Sequence, residues 1–299
     1  MPIFRISDGT LAPIKLSGIK REKDLQIITE KNLDVIFGLK FVCSEFQVGN
    51  CRLDTVGFDE ETNSFVIIEY KKDQNFSITD QGIAYLSLML NHKADFVLRY
   101  NESIGTASPK NKFDWTQSRI MFLAPSFTYY QVEALNFKDL PFELWEVHLY
   151  SNDTIRYEKI KSQGATASLN LISKKSKILE EVSTEIKVFT EDTLLSEADN
   201  EVKEAYMLIK NIVYQVNPDV VEKVMKSMAC FYTGRRGLIW IQPTKKGIKI
   251  WLRKAKYINK SGQVIPDGWG GYPELYLKIS EVDPVFIRKL IEQANNLNK

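Results

Sequence analysis

Cysteine and histidine are scarce in this chain. Its three cysteines, Cys43, Cys51 and Cys230, are too few and too scattered for a disulfide framework or an iron–sulfur cluster, and they predict reduced thiols. The two histidines, His92 and His148, lie far apart and build no zinc site with so few cysteines. His92 is expected to end a helix, where its ring suits the dipole. No Gly-x-Ser-x-Gly elbow of a serine hydrolase occurs, and the Gly-rich DGWGGYP lacks the Gly-Lys-Ser/Thr of a Walker phosphate loop. No apolar run approaches the ~18 residues that cross a membrane, and MPIFRISDG lacks the basic and apolar regions of a signal peptide. The expected setting is the cytoplasm, with no membrane partner.

What is present can bury real cores. A length of 299 residues with 44% hydrophobic content exceeds one average domain and predicts two. The net charge of +2 hides an asymmetry: residues 1–200 hold 23 Lys and Arg against 29 Asp and Glu, whereas 201–299 hold 17 against 9. A basic carboxyl-terminal region beside an acidic one suits phosphate contacts; a solvated lysine-rich surface is the plainer alternative.

Hydrophobic periodicity orders the elements. Short strands or a cap are expected over residues 3–20, then one amphipathic helix from Arg21 to about Phe37 with Leu25, Ile28, Leu33 and Ile36 toward the core. A strand over Lys40–Gln47, a hairpin and a helix from about Thr79 to Asn91 follow, and ADFVLRY, RIMFLAP and FELWEVHLY read as further core strands. The expected divisions are a domain over 1–156, a partly helical connector over 157–200 and a basic α+β domain over 201–299. In that last domain a helix over Glu201–Val216 buries Ala205, Leu208, Ile209, Ile212 and Val213, and the strands LIWIQPT, GIKIWLRK and ELYLKIS precede a closing helix, VFIRKLIEQANN.

The hairpin carries the chemistry. Arg52–Phe58 and Phe65–Tyr70 flank the turn-prone DEETNS, and closure between residues 59 and 64 sets Asp54 opposite Glu69, with Cβ atoms roughly 5 Å apart. Side chains alternate along a strand, so Glu69 and Lys71 share a face that Tyr70 leaves. Two adjacent carboxylates near an apolar sheet repel and call for a cation. Oxygen ligands that leave room for waters and phosphate oxygens select Mg²⁺, with Mn²⁺ able to substitute, and Lys71 can orient water or stabilise developing charge. The chemistry implied is phosphodiester hydrolysis. Glu-x-Lys alone is common, recurring at Glu185-Ile186-Lys187 and Glu201-Val202-Lys203; the upstream Asp54, the hairpin spacing and the downstream Gln81 give it weight.

The run from Arg21 to about Leu98 resembles the core of the PD-(D/E)XK nuclease superfamily, near its RecB-like and NucS-like endonuclease branch. The resemblance implies an α/β (α+β) restriction-endonuclease-like core, with a mixed sheet flanked by helices. It implies Asp54 and Glu69 as metal ligands with the Tyr70 backbone carbonyl, and Lys71 as the catalytic lysine. Gln81 and Tyr85 match the Gln-x-x-x-Tyr motif on the following helix, and Glu22 fits the acidic position of the first core helix, with Glu30 the runner-up. Departures are Leu53 where a proline is nominal and Cys51 where relatives often have Gly. The carboxyl-terminal region resembles the uncharacterised domain DUF5655. Many members of the superfamily act as dimers, which makes a homodimer the implied assembly.

DNA is the expected partner. Arg52 and Lys72 beside the hairpin, and Arg235, Arg236, Lys245 and Lys246 in the basic domain, are the expected nucleic-acid contacts. There Arg235, Arg236, Lys245, Lys246, Lys249, Arg253 and Lys254 alternate with Trp240, Trp251 and Tyr257, a pattern suited to single-stranded or distorted DNA. Trp240 and Trp251 read as core, and Trp269 and Tyr272 as exposed. The expected activity is that of a Mg²⁺-dependent DNA endonuclease. The alternatives are a nuclease-fold regulatory protein with weak or no catalysis, and an interaction protein built around the second domain.

Overall fold

Asp59 closes the hairpin on which the first unit is built. Its Oδ1 accepts the backbone N–H groups of Glu61 and Thr62, and Asn63 takes the left-handed conformation that Asn tolerates. Strands β4 (Cys51–Asp59) and β5 (Ser64–Tyr70) leave this turn antiparallel, paired from Asp59–Ser64 to Thr55–Ile68, so the next positions along the ladder are Asp54 and Glu69. A computed structural model describes residues 2–73, 77–136, 140–160, 177–234 and 236–297. It divides the chain into two compact units, 1–188 and 189–299, with the division falling inside the expected connector.

In the first unit a small antiparallel hairpin of β1 (Ile3–Ser7) and β2 (Thr10–Ile14) precedes helices α1 (Glu22–Glu30) and α2 (Leu33–Phe37) and strand β3 (Lys40–Val48). After the β4–β5 hairpin come α3 (Ile78–Asn91), α4 (Lys93–Ile104), β6 (Arg119–Ala124), α5 (Tyr129–Glu133), β7 (Phe142–Leu149), β8 (Ile155–Lys159) and α6 (Lys177–Glu185). The six-stranded sheet runs β3-β4-β5-β6-β7-β8, parallel at β5–β6 and β6–β7 and antiparallel elsewhere. Parallel neighbours require crossovers, which α3–α4 and α5 supply. Strand β5, buried along its whole length, reads accordingly as a near-continuous apolar run broken by Glu69. One face packs Phe65, Ile67 and Phe122 against Leu86 and Met89 of α3, Phe96 and Tyr100 of α4, and Val182 of α6. The other packs Val66, Ile68, Tyr70 and Met121 against Leu25 of α1 and Leu33 of α2.

Four sequence expectations change. The helix expected over 21–37 is two, and Ile28 is exposed, because the chain breaks after Lys31 and the Asn32 amide turns back to the Ile28 carbonyl. ADFVLRY is helical within α4: Phe96, Val97 and Tyr100 share one face while Leu98 and Arg99 face water, a period of 3.6 rather than 2. The stretch expected as connector contributes β8 and α6 to the first unit, with Val182 and Ile186 in its core; residues 161–176 lie outside the described residues. In the second unit, Leu208 is partly exposed and Val202 and Tyr206 are buried instead.

The second unit holds α7 (Glu191–Leu194), α8 (Asn200–Val216), strands β9 (Val221–Val224), β10 (Ala229–Thr233), β11 (Arg236–Pro243), β12 (Gly247–Leu252) and β13 (Glu274–Lys278), and α9 (Pro284–Asn296). The strands form one antiparallel meander in chain order. Ala229, Phe231, Ile239, Ile241, Ile248, Ile250 and Leu277 face α8 and α9. Among the described residues of the whole chain, no helix is long and apolar enough to cross a membrane.

Candidate active site

The site stands at the end of the hairpin away from its turn, where β4 begins and β5 ends, on the α3 face. Strand alternation sends Glu69 to that face and Tyr70 to the opposite one, where its hydroxyl lies 3.3 Å from Thr55 Oγ1. The Tyr70 N–H donates to Asp54 Oδ2 at 3.1 Å, which locks one carboxylate to the backbone beside the other. Lys71 Nζ donates to Glu69 Oε1 at 2.8 Å, and the Lys71 N–H continues the parallel ladder to the Leu123 carbonyl at 2.8 Å. Ser77 caps α3 by accepting the Asp80 N–H, starting the helix so that residues 81 and 85 fall one turn apart on the sheet side. Gln81 Nε2 then donates to Glu69 Oε1 at 2.7 Å and to the Tyr85 hydroxyl at 2.9 Å.

Glu69 is 4% exposed. Its Oε1 takes both donors, while its Oε2 is buried with no hydrogen-bond partner among the described residues. Burial first, and the neighbouring Asp54 second, push its pKa up to about 7 against the pull of Lys71 and Gln81. Asp54 is raised too, by burial, with the Tyr70 N–H and Lys71 opposing. Burial lowers the pKa of Lys71, but the hydrogen bond and charge of Glu69 outweigh it and the ammonium is held. Such a carboxylate pair has oxygen to give. Among the described residues no three His, Cys, Asp or Glu side chains are grouped to hold a metal. Two carboxylates and the Tyr70 carbonyl are nevertheless a donor set fitting a hard cation that keeps most of its waters, and Glu69 Oε2, which has no partner among the described residues, is an acceptor such a cation would satisfy.

Asp54, Glu69, Lys71, Gln81 and Tyr85 are therefore brought together. Of the two helix acids, Glu22 stands near enough for its charge to act on Asp54 and Lys71, whereas Glu30 does not. Helix α1 packs on the opposite face of the sheet, so Glu22 reaches round the strand end and accepts the Lys72 N–H at 2.7 Å, exposed to water. Glu30, one helix length away, accepts from Thr55 Oγ1 at 2.6 Å and Gln26 Nε2 at 2.9 Å on the Tyr70 side. Glu45, which no sequence pattern singles out, also acts on Asp54: between the pairs Ser44–Thr55 and Phe46–Leu53, it stands level with Asp54 on β3. It sits mid-strand at φ 52°, and it pairs with Lys23 and with Arg52. Strain of this kind clusters at functional sites, and no spacing rule in the sequence signals it.

Of the expected nucleic-acid contacts, Arg52 is exposed beside the site and held by Glu45 at 2.9 Å, and Lys72 is exposed one residue past Lys71. In the second unit Arg236 opens β11, while Lys245 and Lys246 turn between β11 and β12 at its other end, roughly 25 Å away along an extended strand. They form no single patch with one another, and Arg235 lies outside the described residues. Arg253 is structural: 8% exposed, it donates to the carbonyls of Gly237, Arg236 and Ala294 and to Thr233 Oγ1. Tyr257 is fully buried, and Trp240 and Trp251 are core, as the strand alternation indicates.

These features define an α+β protein whose first unit is a mixed six-stranded sheet flanked by helices, with a carboxylate–lysine site at its strand ends. The chain belongs to the same family as an uncharacterized protein of Haemophilus influenzae, to which it is 39% identical over 252 residues, 84% of this chain and 83% of that one. No protein-family model matches the sequence. Among solved structures it is similar to the EndoMS-dsDNA2 complex (20% identity, 48% of this chain, 50% of that one, TM-score 0.26). It is also similar to a repair endonuclease from Pyrococcus abyssi (21% identity, 44% and 50%, TM-score 0.26) and to EndoMS in apo form (15% identity, 49% and 64%, TM-score 0.29). The chain spans about half the length of the first two.

Proposed function

We propose that this protein is a divalent-metal-dependent DNA endonuclease that hydrolyses phosphodiester bonds at the β4–β5 strand ends. The observation that carries the reading is the buried Glu69 carboxylate, set beside Asp54 with one oxygen unpartnered among the described residues and the other fixed by Lys71 and Gln81. Asp54, Glu69 and the Tyr70 carbonyl are the residues to hold Mg²⁺ or Mn²⁺. When bound, such an ion polarises a phosphoryl oxygen and lowers the pKa of water.

The chain's own groups do the rest. Lys71 is a protonated donor at the site, suited to charge that develops on the phosphoryl oxygens and to orienting the attacking water. Gln81 fixes the Glu69 rotamer through Oε1, and Tyr85 holds Gln81 in turn. Arg52 and Lys72 supply exposed positive charge for the backbone of the substrate. DNA as the substrate, the RecB-like and NucS-like placement and a homodimeric assembly are what the motif resemblance implies.

The test is cleavage of a panel of single-stranded, duplex, mismatched and branched DNA by purified protein with Mg²⁺ or Mn²⁺. Asp54→Ala and Lys71→Ala should abolish cutting while thermal unfolding stays cooperative. Equal cutting by those variants would assign the nuclease activity to a contaminant and overturn the reading.

A further inference from the structure

Both long helices of the second unit lie on one face of its sheet, and the opposite face carries an aromatic and basic surface. Strand register aligns Lys223, Cys230, Trp240, Trp251 and Glu274 in a single row across β9 to β13 on that helix-free face. The loop between β12 and β13 folds back over the row. Trp269 meets Trp251 edge-on at 6.3 Å and stacks with Tyr272 at 6.1 Å, and Tyr272 packs on Trp240 at 4.6 Å. The loop is held rather than loose. Gly270 and Gly271 have φ of 64° and 70°, and Glu274 accepts from Trp251 Nε1 at 2.7 Å and from the Trp269 N–H at 3.4 Å.

This construction leaves costly surface in water. Trp269 is 47% exposed, and Tyr276, on the same face of β13, is 46% exposed. Two cations lie beside this surface: Lys254 Nζ is 4.9 Å from the Tyr272 ring centre, and Lys249, opposite Tyr276 on the neighbouring strand, pairs with Glu274 at 3.5 Å, an exposed contact that a phosphate can compete for. The Trp240 Nε1–H, on a side chain 3% exposed, is buried with no acceptor among the described residues. Rings fixed in place offer stacking without an ordering cost, and flanking ammonium groups match phosphates between stacked bases.

We propose that the helix-free face of the second unit is a binding platform for single-stranded DNA, with bases stacked on Trp269 and Tyr276 and phosphates met by Lys249 and Lys254. The choice of DNA over RNA rests on the nuclease reading above; the platform itself does not. Neither Arg236 nor Lys245 and Lys246, the expected contacts of this unit, belongs to it.

The test uses the full chain in chelator, so that binding is read without cleavage. A fluorescein-labelled oligothymidylate of about 20 nucleotides is titrated by anisotropy, alongside quenching of tryptophan fluorescence. Trp269→Ala should weaken binding roughly 5- to 100-fold, Trp269→Phe should keep it within about threefold, and Lys254→Ala should weaken it while flattening the salt dependence. Unlabelled duplex should compete poorly. Unchanged affinity in both Trp269→Ala and the Trp269→Ala, Tyr276→Ala double variant overturns the proposal. So does conversion of a dimer to a monomer by those changes at constant affinity, which would make the face a self-association surface. An Asp54→Ala protein that binds normally but does not cut separates this outcome from failure of the nuclease reading.

Discussion

Replacing Glu69 by Gln should stabilise the fold while destroying the activity, and the pH dependence of that gain is the sharpest test of the site. Glu69 has its pKa pushed from 4.5 up to about 7, by burial first and Asp54 second. A carboxyl raised on folding contributes stability that is complete below its ordinary pKa and lost as pH rises through the folded one. The window is therefore pH 4.5 to about 7. At about 1.4 kcal/mol per pH unit the loss is about 3 kcal/mol, which a neutral Gln escapes. For a unit of this size that is roughly 6–12 °C in Tm. Thermal unfolding followed by circular dichroism in chelator at about pH 4.5, 6 and 8 reads it directly: the variant's advantage should be near zero at the lowest pH and grow to its full value at the highest. A difference that stays flat across the window would refute the claim that Glu69 is held uncomfortably in the folded protein.

Other perturbations probe different links. Adding Mg²⁺ at about pH 8 should raise the Tm of the wild type and not of Glu69→Gln, and chelator should reverse the gain, both read by calorimetry. Lys71→Met should drive the Glu69 pKa still higher, seen as a carboxyl ¹³C titration moved above about 7, because the one ammonium at 2.8 Å is gone. Gly82→Ala would set a Cβ 2.5 Å from Phe142 Cζ, so it should cost about 1–3 kcal/mol in urea unfolding and also slow cleavage, since Gln81 is its neighbour on α3. Arg253→Ala should lower stability by about 2–4 kcal/mol through its lost buried hydrogen bonds, while Lys246→Ala should leave stability within about 0.5 kcal/mol.

Much of the candidate site was legible because its signals are local. Turn residues at 59–64 fix the hairpin register, register plus alternation puts Asp54 and Glu69 on one face, and the i, i+4 spacing of Gln81 and Tyr85 puts them on one side of α3. The same local rules fail at ADFVLRY, where the consecutive apolar Phe96, Val97 and Leu98 have the density of a strand while the buried positions 96, 97 and 100 follow a helix. Glu22 and Glu30 are both acids on a helix before the hairpin, and nothing in their spacing says that the helix lies across the sheet from Glu69. Glu45 is signalled by a left-handed backbone in mid-strand, which sequence does not announce for a glutamate.

The sequence by itself determined what depends on neighbours within a few residues: the hairpin, its facing carboxylates, the lysine two positions on, the capped helix that follows, and the burial of Trp240 and Trp251. Only the tertiary structure decided what depends on packing between distant segments. It put α1 on the far side of the sheet, drew β8 and α6 into the first unit, and separated Arg236 from Lys245 by the length of a strand. It also assembled Lys223, Cys230, Trp240, Trp251 and Glu274, drawn from five strands, into one row. Side-chain periodicity is written residue by residue; which faces meet is settled by burying them against one another, and that free energy belongs to the whole fold.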